Sequence, residues 1–455
     1  MNEINESIFR EYDIRGIVET ELQDDVVERI ASAFAVAFLK EGKQRIVVGR
    51  DGRPSSPHIH GIMIRILAKY GLEILDIGLV PTPVMYYTVF KQDLDGGIVI
   101  TASHNPAEYN GFKTLVGKEA QSGAQIKEIY RTAVSGKFPA EKPGQIRTVD
   151  IIPEYLDYIT HNVKLNKPLK VVVDAGNGTG GITAPVLYKK LGADVVDIFC
   201  DVDGTFPNHH PDPTKIENLK FLIDKVKTTG ADLGIAFDGD GDRIGVVDQN
   251  GAILWGDQLT LIFARDILSR KPGEKIISEV KASEVLYSGI KKAGGVPIMW
   301  KTGHSLIKKK IVEEKAALAG EMSGHIFFND KWFGFDDAVY AGARLLEILS
   351  NTRHSLTEIL DTIPKAFNTP EIHVKTTDEA KFTIVSHLVA HFKKSYEVID
   401  IDGARVKFPY GWALVRASNT QPSLVVRFEA DSQAHLEEIR AIVEPAIKKT
   451  REQFE

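Results

Sequence analysis

Three aspartates alternate with two glycines in the segment FDGDGDR, which sets Asp238, Asp240 and Asp242 two residues apart. In an extended chain this spacing turns all three carboxylates to one side, and the glycines let the backbone curl around a small ion. Like charges this close repel one another unless a cation neutralises them. An all-oxygen cluster favours Mg²⁺, Mn²⁺ or Ca²⁺ over zinc. The segment therefore predicts a divalent metal site, and Arg243 beside it suits an anionic partner.

An EF-hand calcium loop also begins with alternating aspartates, so it is the first alternative. That loop needs a glycine at its sixth position and a glutamate at its twelfth, where this sequence has Arg243 and Gln249. The residues that follow, IGVVD, predict a strand instead of the EF-hand helix. The calcium-sensor interpretation is therefore excluded, and a phosphate oxygen is a natural further ligand for the metal.

A serine and a histidine are adjacent in TASHNP, residues 101–106, after an apolar strand pattern. Neighbouring side chains on an extended backbone point to opposite faces, and no G-x-S-x-G elbow surrounds Ser103. A Ser103–His104 nucleophile pair is therefore disfavoured, and the role of His104 stays open. The stronger hypothesis is that Ser103 carries a phosphoryl group and faces the aspartate loop. Lys113 could then be a nearby cation or proton-transfer group, although its spacing fits an ordinary surface lysine equally well.

Two further polar loops could bind an anionic or hydroxylated ligand. In RASNTQP, residues 416–422, an arginine and several hydrogen-bonding groups suit a phosphate, although the same pattern is also ordinary turn chemistry. In GEMSGH, residues 320–325, a carboxylate and a hydroxyl suit sugar hydroxyls at a spacing that is not diagnostic. For each candidate ligand-binding residue in these loops and in comparable places of the chain, a structural role is the alternative. These candidates are Tyr12, Arg15, Lys281, His304, Glu321, Ser323, His325, Arg416, Ser418, Asn419 and Thr420.

These loops need elements to position them, and the sequence repeats itself in a way that supplies them. A β-branched strand, a helix, a second strand and a later strand that feeds a polar loop recur three times, beginning near residues 45, 170 and 275. Alternating strands and helices predict α/β units with largely parallel sheets, whose ligand loops follow the carboxyl ends of strands. The last part of the chain breaks the pattern and predicts an α+β domain. The predicted domains are 1–150, 151–252, 253–366 and 367–455.

The composition of the chain argues against several classes of function. The 455 residues are 43% apolar and 26% charged with a formal net charge of -6, which is typical of a globular protein and argues against a nucleic-acid-binding surface. A single cysteine excludes an intrachain disulfide. The longest apolar stretch, residues 30–39, is about half the ~20 residues that span a bilayer, and the polar N-terminus is unlike a signal peptide. We therefore expect a cytoplasmic protein with no membrane and no nucleic-acid partner; the oligomeric state, monomer or homodimer, stays open.

The motifs YDIRG, TASHNP, DGDGDR, GEMSGH and RASNT, in this order, resemble those of the α-D-phosphohexomutase family. The resemblance is to its bacterial and archaeal phosphomannomutase/phosphoglucomutase branch. The segments FPNHHPDPTKIENL and KTGHSLIKKK match as well, so the resemblance covers essentially the whole chain. It implies three related α/β domains with mixed, largely parallel sheets and a smaller C-terminal α+β domain, arranged around a central cleft.

The resemblance also implies roles for individual residues. Ser103 would be an active-site phosphoserine, and Mg²⁺ would be held by its phosphate and the three aspartates. The transferring phosphoryl group would be surrounded by Arg15, Lys113 and Arg243, with Lys113 a candidate for acid/base duty. The remaining matches would contact substrate: sugar hydroxyls for Glu321 and Ser323, the other phosphate for Arg416, Ser418, Asn419 and Thr420, and the cleft generally for Tyr12, Lys281, His304 and His325.

The implied function is the interconversion of hexose 1-phosphate and hexose 6-phosphate, with mannose, glucose or both as the sugar. A 1,6-bisphosphohexose would be the intermediate and also the activator that restores the phosphoserine. Phosphoglucosamine mutase is the main alternative, although the methionine in GEMSGH favours the hexose phosphates. A D-x-D phosphatase and a non-catalytic phosphosugar-binding protein are weaker alternatives, because Ser103, Lys113 and the phosphate-binding residues are all present.

Overall fold

The computed structural model describes residues 2–419 and 421–454. Its strands form four separate sheets that follow one another along the chain. No helix in this described part is both long enough and apolar enough to cross a membrane.

The first sheet is built from strands that alternate with helices. The strands are β1 (Ile14–Ile17), β2 (Arg45–Arg50), β3 (Glu73–Leu79), β4 (Gly96–Ile100), β5 (Tyr109–Val116), β6 (Glu119–Ala120) and β7 (Gln145–Thr148). The helices are α1 (Val18–Glu21), α2 (Asp24–Lys40), α3 (Ser56–Lys69), α4 (Thr82–Lys91) and α5 (Ala124–Ser135), after a 3₁₀ turn at Glu6–Ile8. The sheet order is β1-β5-β4-β2-β3-β7, with β6 beside β5. TASHNP leaves the carboxyl end of β4, an inner strand.

The second and third sheets repeat this plan on a smaller scale. The second unit contains α6 (Ile152–Asn162), β8 (Lys170–Asp174), α7 (Gly180–Lys190), β9 (Asp194–Ile198), a 3₁₀ turn (Ile216–Leu219), α8 (Lys220–Thr229), β10 (Leu233–Phe237), β11 (Ile244–Asp248) and β12 (Ile253–Leu254). The third contains α9 (Gly256–Arg270), β13 (Lys275–Glu279), α10 (Glu284–Lys292), β14 (Val296–Trp300), α11 (His304–Glu314), β15 (Leu318–Gly320), β16 (Ile326–Phe328), α12 (Ala338–Ser350) and α13 (Leu356–Asp361).

One four-strand arrangement therefore occurs three times: β5-β4-β2-β3, β11-β10-β8-β9 and β16-β15-β13-β14. In each, helical crossovers connect three parallel strands, and the last of these feeds a polar loop that returns as an antiparallel strand. The predicted threefold repetition of α/β units is confirmed. The repeat brings TASHNP, DGDGDR and GEMSGH to equivalent ends of their sheets.

The fourth unit is the predicted α+β domain. It contains β17 (Phe367–Asn368), β18 (Ile372–Lys375), α14 (Asp378–Phe392), β19 (Val398–Ile399), β20 (Ala404–Phe408), β21 (Gly411–Ala417), β22 (Ser423–Ala430) and α15 (Gln433–Phe454). Its antiparallel sheet has the order β17-β22-β21-β20-β19, with β18 beside β22. The turn between β21 and β22 carries RASNTQP.

The first three units share one continuous apolar core, in which Tyr87, Tyr188 and Tyr340 are buried. The fourth unit has a core of its own and meets the third through a small cluster of Val280, Trp412 and Leu414. The predicted domain limit at residue 252 falls before β12. In the structure, β12 belongs to the second sheet, because it pairs with Val246 and Val247 of β11. The domain limits otherwise stay predictions.

The seam between the second and third units generates a prediction about pH. Asp337 caps α12 by accepting a hydrogen bond from the Tyr340 amide at 2.8 Å, and the Tyr155 hydroxyl donates to it at 3.0 Å. Burial raises the pKa of Asp337 to about 7, so the folded protein keeps a proton that the unfolded chain releases above about pH 4. This carboxyl therefore lowers stability progressively as the pH rises from about 4 to about 7.

Asp337→Asn retains the cap and should remove this dependence. Relative to wild type, its free energy of unfolding should rise by about 3 kcal/mol between about pH 5 and about pH 8. Urea denaturation at the two pH values measures this, with the exposed Asp361→Asn as the control. If the difference in unfolding free energy between Asp337→Asn and wild type is the same at both pH values, Asp337 does not have the raised pKa assigned to it.

Candidate functional site

The loops of the first three units meet at one place, and the turn of the fourth lies against them. The Ser103 hydroxyl donates to Asp238 Oδ2 at 2.7 Å, which joins the first loop to the second. His325 Nε2 lies 3.3 Å from Asp242 Oδ1, which joins the third loop to the second. Asn419 of the fourth unit donates to the Tyr12 hydroxyl of the first. These contacts link residues up to about four hundred positions apart.

The aspartate loop has the donor set that a divalent cation needs. Asp238, Asp240 and Asp242 are each fully buried, and one ligand oxygen from each lies within 4.8 Å of the others. Among the described residues, Asp240 Oδ1 accepts no hydrogen bond, whereas Asp242 Oδ1 has the ion pair with His325 at 3.3 Å. Buried carboxylate oxygens without a partner are costly unless a cation binds them. This observation fits a hard, oxygen-preferring ion.

Lys113 supplies a counter-charge to this loop. Its ammonium donates to Asp240 Oδ2 at 2.7 Å and also to Asp242. Burial acts to lower the pKa of Lys113, but the charges of Asp240 and Asp242 outweigh it and raise the pKa. Burial and the two neighbouring carboxylates raise the pKa of Asp238 instead. Burial also favours a higher pKa for Asp242, but Lys113 and His325 lower it, so Lys113 is a cation held between two anions.

The two glycines of the aspartate loop have different functions. Gly241 has a φ of +74°, the left-handed conformation that lets the loop curl. Gly239 is required by a close approach, because a Cβ there would lie 2.5 Å from the carbonyl oxygen of Ser103. Both glycines were expected to let the backbone curl. At Gly239 a glycine is required instead because the two loops are in contact there.

The expectation that Ser103 and His104 point apart is wrong. Ser103 has a φ of +50°, so the backbone is not extended there, and its hydroxyl lies 3.0 Å from His104 Nδ1. Burial lowers the pKa of His104, and the cations Arg243 and Arg15 lower it further. In the described part of the chain no carboxylate forms an ion pair with His104, so the pair lacks the orienting third member of a triad.

Arg53, which the sequence analysis missed, holds the TASHNP loop. Its guanidinium donates to the carbonyl oxygens of Ser103 at 2.8 Å and Asn105 at 2.7 Å, and also to those of Pro106 and Tyr109. The guanidinium is fully buried and paired with Asp51 at 3.1 Å. The sequence signal that could have identified Arg53 was its position in GRDGR, at the end of β2. This is the same edge of the sheet at which β4 ends and TASHNP begins.

Arg15, which the family resemblance implied to lie near the phosphoryl group, also contacts the TASHNP loop. It donates to the Ala102 carbonyl at 3.2 Å and to Asn105 Oδ1 at 2.8 Å, and Asp13 pairs with it at 2.7 Å. Arg243 lies 4.0 Å from Asp238. The candidate phosphate-binding cations Arg15, Lys113 and Arg243 are therefore gathered around Ser103.

The third loop presents a hydrogen-bonded network. Glu321 accepts the Gly303 amide at 2.7 Å, and the Ser323 hydroxyl lies 2.9 Å from His325 Nδ1. Burial acts to lower the pKa of His325, but Asp242 and Glu321 raise it to about 9. His325 is therefore a cation at neutral pH.

Asp336 completes this network and was missed by the sequence analysis. It accepts Lys308 at 2.8 Å and lies 3.7 Å from His304 and 3.9 Å from His325. Asp242, His325 and Asp336 are close enough to bind a metal, but the His325 imidazolium between the two carboxylates, together with Lys113 on Asp242 and Lys308 on Asp336, already offsets their charge. Burial and the charge of Lys308 lower the pKa of His304.

Residues of the fourth unit reach the site from the opposite side. Arg416 pairs with Asp402 at 3.0 Å, while its Nη2 is buried and has no hydrogen-bond partner among the described residues. Lys281 pairs with Glu371 at 2.8 Å across the seam between the third and fourth units. The Ser418 hydroxyl accepts the Gln421 amide at 3.2 Å. Thr420 lies outside the described residues.

Tyr12 connects three units. Its hydroxyl donates to the Thr302 carbonyl at 2.7 Å and accepts a hydrogen bond from Asn419, while its ring contacts His304 at a centroid distance of 5.9 Å. Tyr12 thus joins the turn of the fourth unit, through Asn419, to the third unit, through Thr302 and His304.

Four profiles of one family match consecutive parts of the chain. They are described as Phosphoglucomutase/phosphomannomutase alpha/beta/alpha domains I, II and III, at residues 6–140, 153–251 and 255–367, and the C-terminal domain, at residues 371–446. These matches account for most of the 455 residues.

Individual relatives agree with the profiles. The chain is 47% identical over 443 residues to a phosphomannomutase/phosphoglucomutase of Pseudomonas aeruginosa, covering 97% of this chain and 96% of the relative. It is 46% identical over 444 residues to a phosphoglucomutase of Neisseria gonorrhoeae, with the same coverage of 97% and 96%. A crystal structure of a phosphoglucomutase/phosphomannomutase family protein from Burkholderia thailandensis superposes with a TM-score of 0.94 at 44% identity, covering 98% of both chains.

The position of Arg53 generates a prediction about the TASHNP loop. Arg53→Lys keeps the charge but cannot reach the four carbonyl oxygens, because an ammonium lacks the planar fork of a guanidinium. Losing two or more hydrogen bonds to a charged group should reduce the local opening free energy by at least about 3 kcal/mol. Hydrogen–deuterium exchange of the amides of residues 103–109 should then be about 100-fold faster.

The control is Arg65→Lys, whose exposed pair with Glu28 lies outside the site. Equal exchange of these amides in Arg53→Lys, Arg65→Lys and wild type contradicts the role given to Arg53.

Proposed function

The chain belongs to the phosphoglucomutase/phosphomannomutase family and is a phosphohexomutase, and on this basis we propose that Ser103 carries the phosphoryl group that it transfers. The phosphoryl group passes from Ser103 Oγ to the free hydroxyl of a hexose monophosphate. The bond from phosphorus to the serine oxygen breaks, a bond to the sugar oxygen forms, and the hydroxyl proton ends on the serine oxygen. The product of this step is a 1,6-bisphosphohexose.

The observation that carries this proposal is the surroundings of the Ser103 hydroxyl. It lies between a buried carboxylate and a neutral imidazole, with Arg15, Lys113 and Arg243 gathered nearby. A phosphate there would have three cations to offset its charge. Ser103 as a whole is only 1% exposed, and such burial would keep water away from a phosphoserine, whose hydrolysis would inactivate the enzyme.

We propose that Mg²⁺ is held by Asp238, Asp240, Asp242 and the phosphate on Ser103. The support is the buried Asp240 Oδ1, which has no hydrogen-bond partner among the described residues, and the all-oxygen character of the cluster. When bound, the cation supplies charge neutralisation for the transferring phosphoryl group.

The protonation states of the site favour charge neutralisation over proton abstraction. Lys113 and His325, two groups that could accept a proton, both have raised pKa values and carry protons at neutral pH. Phosphoryl transfer passes through a loose transition state that depends mainly on positioning and electrostatics. Lys113 therefore acts as a cation, or as an acid that donates a proton to the oxygen leaving phosphorus. The transfer does not require a base of high pKa to remove the proton from the attacking hydroxyl.

The remaining candidate residues provide two kinds of substrate contact. The Arg416 guanidinium, with its partnerless buried Nη2, suits the phosphate that is not being transferred, together with Ser418, Asn419 and Thr420. Glu321 and Ser323 suit sugar hydroxyls, with Tyr12, Lys281, His304 and His325 beside them. The substrates are thus phosphosugars. These are small anions of the cytoplasm, which is where we expect the enzyme to act.

After the first transfer, the bisphosphohexose must turn end for end so that its other phosphate returns to Ser103. We expect the fourth unit to move for this step. The support is its separate core and the small apolar contact that joins it to the third unit. A free 1,6-bisphosphohexose would reactivate any enzyme that has lost its phosphoryl group.

Removing the proposed phosphate carrier tests this mechanism. Ser103→Ala should lower the conversion of glucose 1-phosphate to glucose 6-phosphate by at least about 10⁴-fold, because no other group takes the role of a covalent carrier. Binding of the substrate, measured by calorimetry, should remain. Ser32→Ala, a buried serine of α2 that bonds only within its helix, is the matched control.

Intact-mass spectrometry of the wild-type protein completes the test. One phosphate should be present on Ser103 after incubation with the bisphosphate and should be lost on incubation with excess free sugar. Full activity of Ser103→Ala contradicts the proposal.

Sugar specificity is the second test. Mannose and glucose differ only at C2, so a loop that contacts other hydroxyls accepts both, whereas the ammonium of glucosamine would lie in a site rich in cations. We expect kcat/KM values for mannose and glucose 1-phosphates within about tenfold of each other, and a lower value for glucosamine 1-phosphate. A preference for glucosamine would favour the phosphoglucosamine mutase alternative, and discrimination of about 10⁴ between mannose and glucose would indicate a buried contact to the C2 hydroxyl.

A further inference from the structure

A threonine at the start of α4 contacts the aspartate loop of the next unit. The Thr82 hydroxyl donates to Asp240 Oδ2 at 2.7 Å, and the Thr82 amide donates to the Asp240 carbonyl at 2.8 Å. Thr82 is fully buried and lies 158 residues before Asp240 in the sequence. The contact therefore crosses the seam between the first and second units.

The two oxygens of Asp240 have different surroundings as a result. Oδ2 accepts two hydrogen bonds of 2.7 Å, one from Thr82 and one from Lys113. Oδ1 is buried and accepts none from the described residues. The two donors fix the rotation of the carboxylate and leave Oδ1 as the oxygen available to a cation.

The other two aspartates are oriented by different means. Asp238 Oδ1 accepts the amides of Asp242 and Arg243 within its own loop, at 3.1 Å and 3.0 Å, and its Oδ2 accepts the Ser103 hydroxyl at 2.7 Å. Asp242 contacts Lys113 and His325, both of which are charged. Ser103, which donates to Asp238, is itself the proposed phosphoryl carrier, so in the described structure Asp240 is the aspartate of this loop oriented by a neutral hydroxyl that takes no part in the proposed transfer.

We propose that Thr82 is a positioning residue for the metal site, because it holds Asp240 so that Oδ1 faces the ion. This inference rests on the proposed function, in which the three aspartates bind Mg²⁺. Hydrogen-bond donors behind a metal ligand set its orientation, and removing one commonly weakens metal binding by about 10–100-fold.

The neutral charge of Thr82 gives it a role that Lys113 cannot fill. A bound divalent cation repels the Lys113 ammonium, and the lysine must also serve the transferring phosphoryl group. The Thr82 hydroxyl carries no charge and comes from a rigid helix end, where Pro81 and Pro83 flank it. It can therefore keep Asp240 oriented while Lys113 turns towards substrate.

Metal affinity, measured apart from activity, tests this assignment. Full-length protein is freed of metal with a chelator, and Mn²⁺ is titrated as the probe by calorimetry. Thr82→Val removes the hydroxyl at nearly constant volume and should raise the Kd for Mn²⁺ by about 10-fold, whereas Thr82→Ser should stay within about threefold of wild type. Thr88→Val is the matched control, since Thr88 is a buried threonine of the same helix whose hydroxyl donates to the Val84 carbonyl.

Thermal unfolding without metal separates positioning from a general loss of structure. Thr82→Val and Thr88→Val should lose similar stability, but only Thr82→Val should lose Mn²⁺ affinity, and Thr82→Ala provides a second variant if Thr82→Val does not fold. Wild-type affinity in Thr82→Val or Thr82→Ala overturns the inference. If wild-type protein itself binds no Mn²⁺, and Asp240→Asn behaves identically, the metal assignment of the proposed function fails and the inference fails with it.

Discussion

Three carboxylates buried within 4.8 Å of one another are the constraint on which this structure depends. Their repulsion is weakly screened in a buried site, so cations must lie close to them. Lys113 comes from the first unit, Arg243 from the second and His325 from the third, and each lies within 4.0 Å of one of these carboxylates. The balance of charge therefore requires all three α/β units in one arrangement, which their shared apolar core maintains.

The threefold repeat explains how the loops come to face one another. In each unit the polar loop follows an inner parallel strand and returns along an antiparallel one, so equivalent loops leave equivalent edges. The first two loops approach so closely that Gly239 has no room for a side chain beside the Ser103 carbonyl. The fourth unit is attached differently, by Lys281–Glu371, Arg405 contacts to third-unit carbonyls and a small apolar cluster. Such a seam exposes little apolar surface when it opens, which suits the movement proposed for this unit.

The same charge balance shapes the chemistry. Lys113 and His325 keep their protons because carboxylates surround them, while burial keeps His104 and His304 neutral. The site thus offers fixed positive charge where a phosphoryl group would transfer, and preorganised charge of this kind is the main contribution that a protein makes to phosphoryl transfer. The strained backbone of Ser103 and the Arg53 hydrogen bonds that hold it keep the hydroxyl directed into that region.

Sequence alone was sufficient for the features that depend on local order: the alternating carboxylates, the recurrent strand–helix pattern, the α+β ending and the ordered family motifs. It failed where contacts join distant residues. The proximity of Ser103 and His104 depends on a left-handed residue that Arg53 holds from another loop, and the orientation of Asp240 depends on Thr82, 158 residues away. Periodicity and spacing report which face of an element a side chain occupies. Which residues meet there is decided by the packing of whole units against one another, and only the tertiary structure contains that information.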